Sequence, residues 1–108
     1  MTNTPYYHME VAREPNAWTV SVSGDVDYAA SIELAPQLAG IVDECETELL
    51  FDLGGVTLID SEGIKTLLRA YAQMHDKDGA ARIVNCSQPA RRVLHLVGVD
   101  DMLGVTAA

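Results

Sequence analysis

The run Leu49-Leu50-Phe51-Asp52-Leu53 constrains the fold of this chain most, because it is short, nearly continuous in apolar residues and flanked by segments of helical period. Such a run suits a central strand covered on both faces. Before it, Leu34, Leu38, Ile41 and Cys45 lie at i, i+4, i+7 and i+11, one apolar stripe of a helix. After it, Ile64, Leu67, Leu68, Tyr71 and Met74 or His75 trace i, i+3, i+4, i+7 and i+10/11. This is the clearest helix in the sequence, and Gly79 is its expected C-terminal stop.

The remaining segments extend the alternation. Tyr6 to Arg13 alternates weakly up to the turn cluster Glu14-Pro15-Asn16, and Trp18 to Ser23 alternates with period 2. These two runs read as a hairpin whose second strand is half-buried. Asp27 can cap the first helix, but Pro36 would remove an interior hydrogen bond from a helix that began at Tyr28. A regular helix starting only a few residues before Pro36, after a separate turn, is therefore expected. Gly54-Gly55 closes the central run as a turn, and Val56 to Ile59 is a second apolar run ended by Asp60-Ser61. Ala81 to Val84 fits another inner strand. Pro89 opens a helix carrying Val93, Leu94 and Val97 that Gly98 stops, and a last turn spans Asp100 to Leu103. Only Met1 to Pro5 and Val105 to Ala108 look loose. The order is β-β-α-β-α-β-α: an α/β fold with a mixed β-sheet, an N-terminal hairpin, then β-α units whose helices pack on the sheet. With 108 residues and 48% apolar content, one domain over residues 1–108, its core about 7–103, buries enough surface to need no disulfide or metal.

Charge narrows the classes of partner. The formal net charge is -9. Residues 1 to 62 hold 12 acids and the single base Arg13, a net -11, whereas residues 63 to 108 hold six bases and four acids, a net +2. Such a chain is repelled by nucleic acid and by anionic lipid, so neither is an expected partner, and a basic or neutral protein face is. The N-terminus lacks a basic start and an apolar signal core, and no run approaches a membrane span, so a cytoplasmic location is expected. Cys45 and Cys86 are isolated and His8, His75 and His95 are scattered. That pattern offers neither a disulfide framework nor a metal site, and both cysteines read as small hydrophobes in a reducing compartment.

Chemistry concentrates in Leu58-Ile59-Asp60-Ser61-Glu62-Gly63-Ile64, which puts a hydroxyl at a loop-to-helix junction between two acids. Free backbone N–H groups and the positive end of the helix dipole favour an anion there. A phosphate on Ser61 would add roughly -1.5 to -2 charges without unfolding the domain, altering what docks there more than the fold. The plainer reading is that Asp60 or Ser61 is an ordinary N-cap. Gly63 fits both readings, since it leaves space around the hydroxyl and is a poor interior helix residue.

Three stretches in order, Gly24-Asp25-Val26-Asp27, Phe51-Asp52-Leu53 and Val56 to Ile64, resemble the STAS domain of bacterial anti-sigma factor antagonists. That family's pattern is G-E-L-D, an L-D-L strand and V-x-F-[IM]-D-S-[ST]-G-[LI]. The resemblance runs on through Arg82 to Asn85, Pro89, the Arg91 to Val97 helix and Gly98-Val99, and covers roughly residues 7 to 103. It implies a partner switch. The unphosphorylated antagonist binds a serine-kinase anti-sigma factor and frees the sigma factor; the kinase then phosphorylates the residue matching Ser61, and a PP2C-type phosphatase resets it. Asp27 matches the last acid of G-E-L-D, which lies near that serine in the family; for Asp27 a plain helix N-cap is the competing reading. Asp60 matches the acid before the serine. The implied switch surface is Asp25, Asp27, Asp60, Ser61, Glu62 and Gly63, with no catalytic residue, metal or cofactor of the chain's own. Glu62 departs from the pattern: it replaces the usual second Ser or Thr, adds repulsion to a phosphoserine and removes a second hydroxyl.

Three rival readings are weaker. A response-regulator receiver would use Asp52, but it needs an acidic pair after the first strand and a late lysine, and the only lysines are Lys65 and Lys77. A non-phosphorylated STAS scaffold or transport-system subunit keeps the fold but is disfavoured by Asp60-Ser61. An enzyme lacks a nucleophile–base pairing, a metal set or a phosphate-binding glycine loop. Arg91-Arg92 reads as a solvated helix face.

Overall fold

The structure, a computed structural model, describes residues 6–105. The chain runs β1 (Tyr7–Arg13), β2 (Ala17–Val26), α1 (Tyr28–Glu44), β3 (Glu48–Ile59), α2 (Ser61–Asp76), β4 (Ala80–Cys86) and α3 (Gln88–Leu96), the order expected. The sheet order is β1-β2-β3-β4, with β1 antiparallel to β2 and the other neighbours parallel. Two successive crossovers in one direction put α1 and α2 side by side. Val20, Val22, Leu49, Phe51 and Leu53 are buried on the sheet, and Leu34, Leu38, Leu67 and Met74 on the helices join the same core. The helical stripe therefore ends on Met74, and His75 is exposed.

The central strand is not covered on both faces. Leu50 and Asp52, which alternate with the buried residues, are half-buried, and Val84 on β4 is 44% exposed. Nor is β4 an inner strand: it lies at the sheet edge, where the Ile83 N–H donates to the Leu103 carbonyl at 2.7 Å. The last turn thus shields part of an open edge. Leu103 and Val105 are buried at 1% and 7% exposure, so Val105 is anchored and not loose. Met1 to Pro5 and residues 106–108 lie outside the described residues.

Gly54-Gly55 does not end the strand. β3 continues for 12 residues because its register against β2 slips by one between Ser21/Ser23 and again between Gly24/Asp25. These slips are β-bulges, each adding a residue to β3. Buried positions accordingly step by two from Leu49 to Leu53 and by three to Val56 and Ile59. The broken period is why the sequence reads as two short runs.

Pro36 likewise fails to delay α1, which is helical from Tyr28 to Glu44 with Pro36 inside it. Pro36 is exposed, and the side-chain amide of Gln37 donates to the Glu33 carbonyl at 3.1 Å. That bond supports the backbone next to the Ile32 carbonyl, which Pro36 leaves without its helical donor. The cap of α2 also differs from expectation. The left-handed residue is Asp78, at φ 61°, and not Gly79. The Asp78 N–H bonds the His75 carbonyl and the Gly79 N–H the Met74 carbonyl, a Schellman closure. In α3, Gly98 at φ 76° is the expected stop, but Val97 caps the helix at 52% exposure and Leu94 carries the core contact.

Candidate functional site

Parallel strands β2 and β3 end side by side, with Val26 paired to Ile59, so α1 and α2 begin next to each other. Asp27 is the N-cap of α1, its carboxylate accepting from the Ala30 N–H at 2.9 Å. Asp60 is the N-cap of α2 and accepts from the N–H groups of Glu62 and Gly63, both at 3.0 Å. Each cap satisfies otherwise orphan donors and is worth about 1 kcal/mol. Asp60, and not Ser61, therefore does the capping. Ser61 occupies the first helical position, exposed, and its hydroxyl makes no hydrogen bond among the described residues.

Gly63 has a sharper role than leaving space for a hydroxyl. A Cβ there would sit 2.6 Å from the Val26 carbonyl oxygen and 2.8 Å from Ile59 Cγ1. The first turn of α2 is pressed onto the end of β2, and the Asp60 N–H donates to that same Val26 carbonyl at 3.2 Å. Only glycine allows this approach. Asp25 is held one residue pair back, accepting from the Thr57 hydroxyl at 2.6 Å, while its N–H bonds the Tyr6 carbonyl. Glu62 pairs with Lys65, Nζ to Oε1 at 3.3 Å, within α2. The six residues of the implied switch surface are thus gathered at one end of the sheet, around two helix N-termini. Four of them are carboxylates.

The sequence reading missed the other wall of this region. Ser87, the N-cap of α3, donates to the Val56 carbonyl at 2.6 Å, and its N–H bonds the Leu53 carbonyl. The bulged half of β3 therefore holds the start of α3, leaving a groove of about 540 Å³ lined by Thr57, Leu58, Ile59, Pro89, Arg92 and Val93. Leu58 is 46% exposed there. Its only sequence signal is an apolar residue one place out of phase with Val56 and Ile59. Arg92 is exposed as expected, but Arg91 is half-buried and its Nε finds no partner among the described residues.

Asp52 lies inside β3, accepting from the Gly54 N–H at 2.9 Å and the Asn85 amide at 3.1 Å. Those bonds make it part of the bulge, and the receiver reading fails on this geometry. Cys45 is buried; Cys86 is half-buried, and that burial pushes its thiol pKa up. Among the described residues no group of three or more His, Cys, Asp or Glu could hold a metal, and no helix is long and apolar enough to cross a membrane.

This fold, a four-stranded mixed sheet with paired helix N-termini at its parallel end, is that of a STAS domain. The family model described as "Mlab, STAS domain" matches residues 9–104, and the chain belongs to that family. The anti-sigma-F factor antagonist RsfB of Mycobacterium tuberculosis is 27% identical over 90 residues, covering 83% of this chain and 73% of that protein. The crystal structure of an anti-sigma factor antagonist from Mycobacterium paratuberculosis superposes with a TM-score of 0.81 at 27% identity, over 90% of this chain and 82% of that one. The unphosphorylated form of the anti-sigma factor antagonist SpoIIAA shares the fold, with a TM-score of 0.73 at 13% identity over 93% of this chain and all of that one.

Proposed function

We propose that this chain is a cytoplasmic anti-sigma factor antagonist that works by protein–protein binding and is itself no enzyme. It binds a serine-kinase anti-sigma factor and releases the sigma factor, phosphorylation at Ser61 ends the complex, and a PP2C-type phosphatase restores it. The observation that carries this reading is the division of labour at the start of α2: Asp60 caps the helix and leaves the Ser61 hydroxyl exposed and unengaged. The two relatives at 27% identity, both anti-sigma factor antagonists by name, support it.

Asp25, Asp27, Asp60, Glu62 and Gly63 form the rest of the docking surface. A phosphate adds roughly -1.5 to -2 charges to a patch that is already acidic. A basic or neutral partner face does not repel that charge, so it is the bulk of a dianion at the centre of the interface, and the cost of stripping its hydration, that break the complex.

Incubation with the organism's anti-sigma kinases and ATP, followed by intact mass, tests the switch. Wild type gains one phosphate, whereas Ser61→Ala gains none and still binds the kinase. A Ser61→Asp protein that binds as tightly as wild type refutes the switch. A chain that no kinase modifies is instead the non-phosphorylated STAS scaffold or transport-system subunit, the reading that Asp60-Ser61 disfavours.

A further inference from the structure

From the ion pair in the first turn of α2, we infer that Lys65 is the intrachain partner of a phosphate on Ser61, reached by exchange from Glu62. The inference rests on the phosphorylation of Ser61 proposed above. Lys65 sits four residues after Ser61 and three after Glu62, so both side chains are within its reach on the helix surface. In the unmodified protein its ammonium is 3.3 Å from Glu62 Oε1, and the two side chains are 63% and 41% exposed. An exposed pair of that kind is held weakly and can be exchanged.

The spacing decides the direction of exchange. An acid four residues before a lysine is the favoured orientation on a helix, and a phosphoserine dianion carries about twice the charge of Glu62. The other charged groups near Ser61 are Asp60 and Glu62 on α2, and Asp25 and Asp27 at the end of β2 and the start of α1; all are acidic. Arg92, across the groove on α3, shares that groove's lining with Ile59, two residues before Ser61. Of the two cations on the helix that bears the serine, Lys65 lies four residues from Ser61, within one turn, and Arg69 eight residues away. Lys65 also accounts for Glu62, whose repulsion of a neighbouring phosphate would otherwise be uncompensated. Before modification Lys65 neutralises Glu62; afterwards its single charge offsets part of the phosphate's.

The test uses the full chain with phosphoserine incorporated at position 61 during translation, which needs no kinase. The second phosphate pKa is read by ³¹P NMR in the parent, in Lys65→Met and in Glu62→Gln. A lysine partner favours the dianion, so Lys65→Met raises that pKa by about 0.3 unit. Glu62→Gln removes both the competitor and a repelling charge, and lowers it. Arg92→Met is the control for the far wall and leaves the value unchanged. A Lys65→Met protein with the parent's pKa, or a larger shift in Arg92→Met, overturns the assignment. Absence of modification by any kinase would count against the phosphorylation reading alone, because this titration does not depend on it.

Discussion

Gly63 shows how one side chain, or its absence, sets the position of a helix. The start of α2 is not simply capped; it is wedged against the Val26 carbonyl, a backbone group that cannot swing away. Gly63→Ala should therefore cost more than the helix propensity it gains, with a net loss of about 2 kcal/mol from overpacking. Urea unfolding of wild type and variant measures this, and an unchanged midpoint would mean that α2 can shift freely. The start of α2 was legible in the residues: Asp60-Ser61, two good N-cap residues, stands just before an apolar helical stripe. Which of the two capped it was not, since both are good N-caps, and only the hydrogen bonds to Glu62 and Gly63 distinguish them.

At the scale of elements, the helices depend on partners remote in sequence. The last turn of α1 contains no basic residue of its own. Lys77, just past the end of α2, donates its ammonium to the Val42 carbonyl at 2.7 Å and the Asp43 carbonyl at 3.2 Å. A cation at those orphan carbonyls satisfies the C-terminal end of α1 and its dipole. Lys77→Met keeps the stem and loses the charge, and a destabilisation of about 1 kcal/mol is expected in thermal or urea unfolding. No periodicity links residues 35 positions apart, so this contact could not be read along the chain. The same limit explains the two runs seen for β3. A bulge interrupts the period of two, and the pairing that keeps the strand intact belongs to β2.

The whole molecule closes through its C-terminal segment, which lies on the edge of β4 and buries Leu103. His95, near the end of α3, is joined to Asp100 at the start of that segment, Nδ1 to Oδ2 at 2.8 Å. The hydrogen bond and charge of Asp100 raise the His95 pKa, and the same bond lowers that of Asp100. A raised histidine pKa adds stability that is fully present below the ordinary imidazole range and is lost as the pH rises through the raised value. The lowered Asp100 pKa acts oppositely, and its share is lost only on strong acidification. Wild type should thus lose a small stability advantage over His95→Gln as the pH goes from mildly acidic to mildly alkaline, read from urea midpoints across that range. Parallel curves for the two proteins would show that the pair contributes nothing. The charge asymmetry also acquires a place: of the twelve acids in residues 1 to 62, Asp25, Asp27, Asp60 and Glu62 gather where β2 and β3 end and α1 and α2 begin, whereas Asp43, Glu44, Glu46 and Glu48 lie at the opposite end, around the end of α1 and the start of β3.

Local periodicity and capping chemistry along the chain set the element order, the apolar stripes of α1 and α2 and a helix start at the Asp60-Ser61 junction. Tertiary structure alone decided which face of β3 is buried, that β4 is an edge, and that Pro36 sits within a continuous helix. It also decided that Gly63 touches Val26 and that Lys77 closes α1. The physical reason is common to all of them: burial, strand pairing and remote capping are supplied by residues far away in the chain, and a local pattern carries no record of its partner.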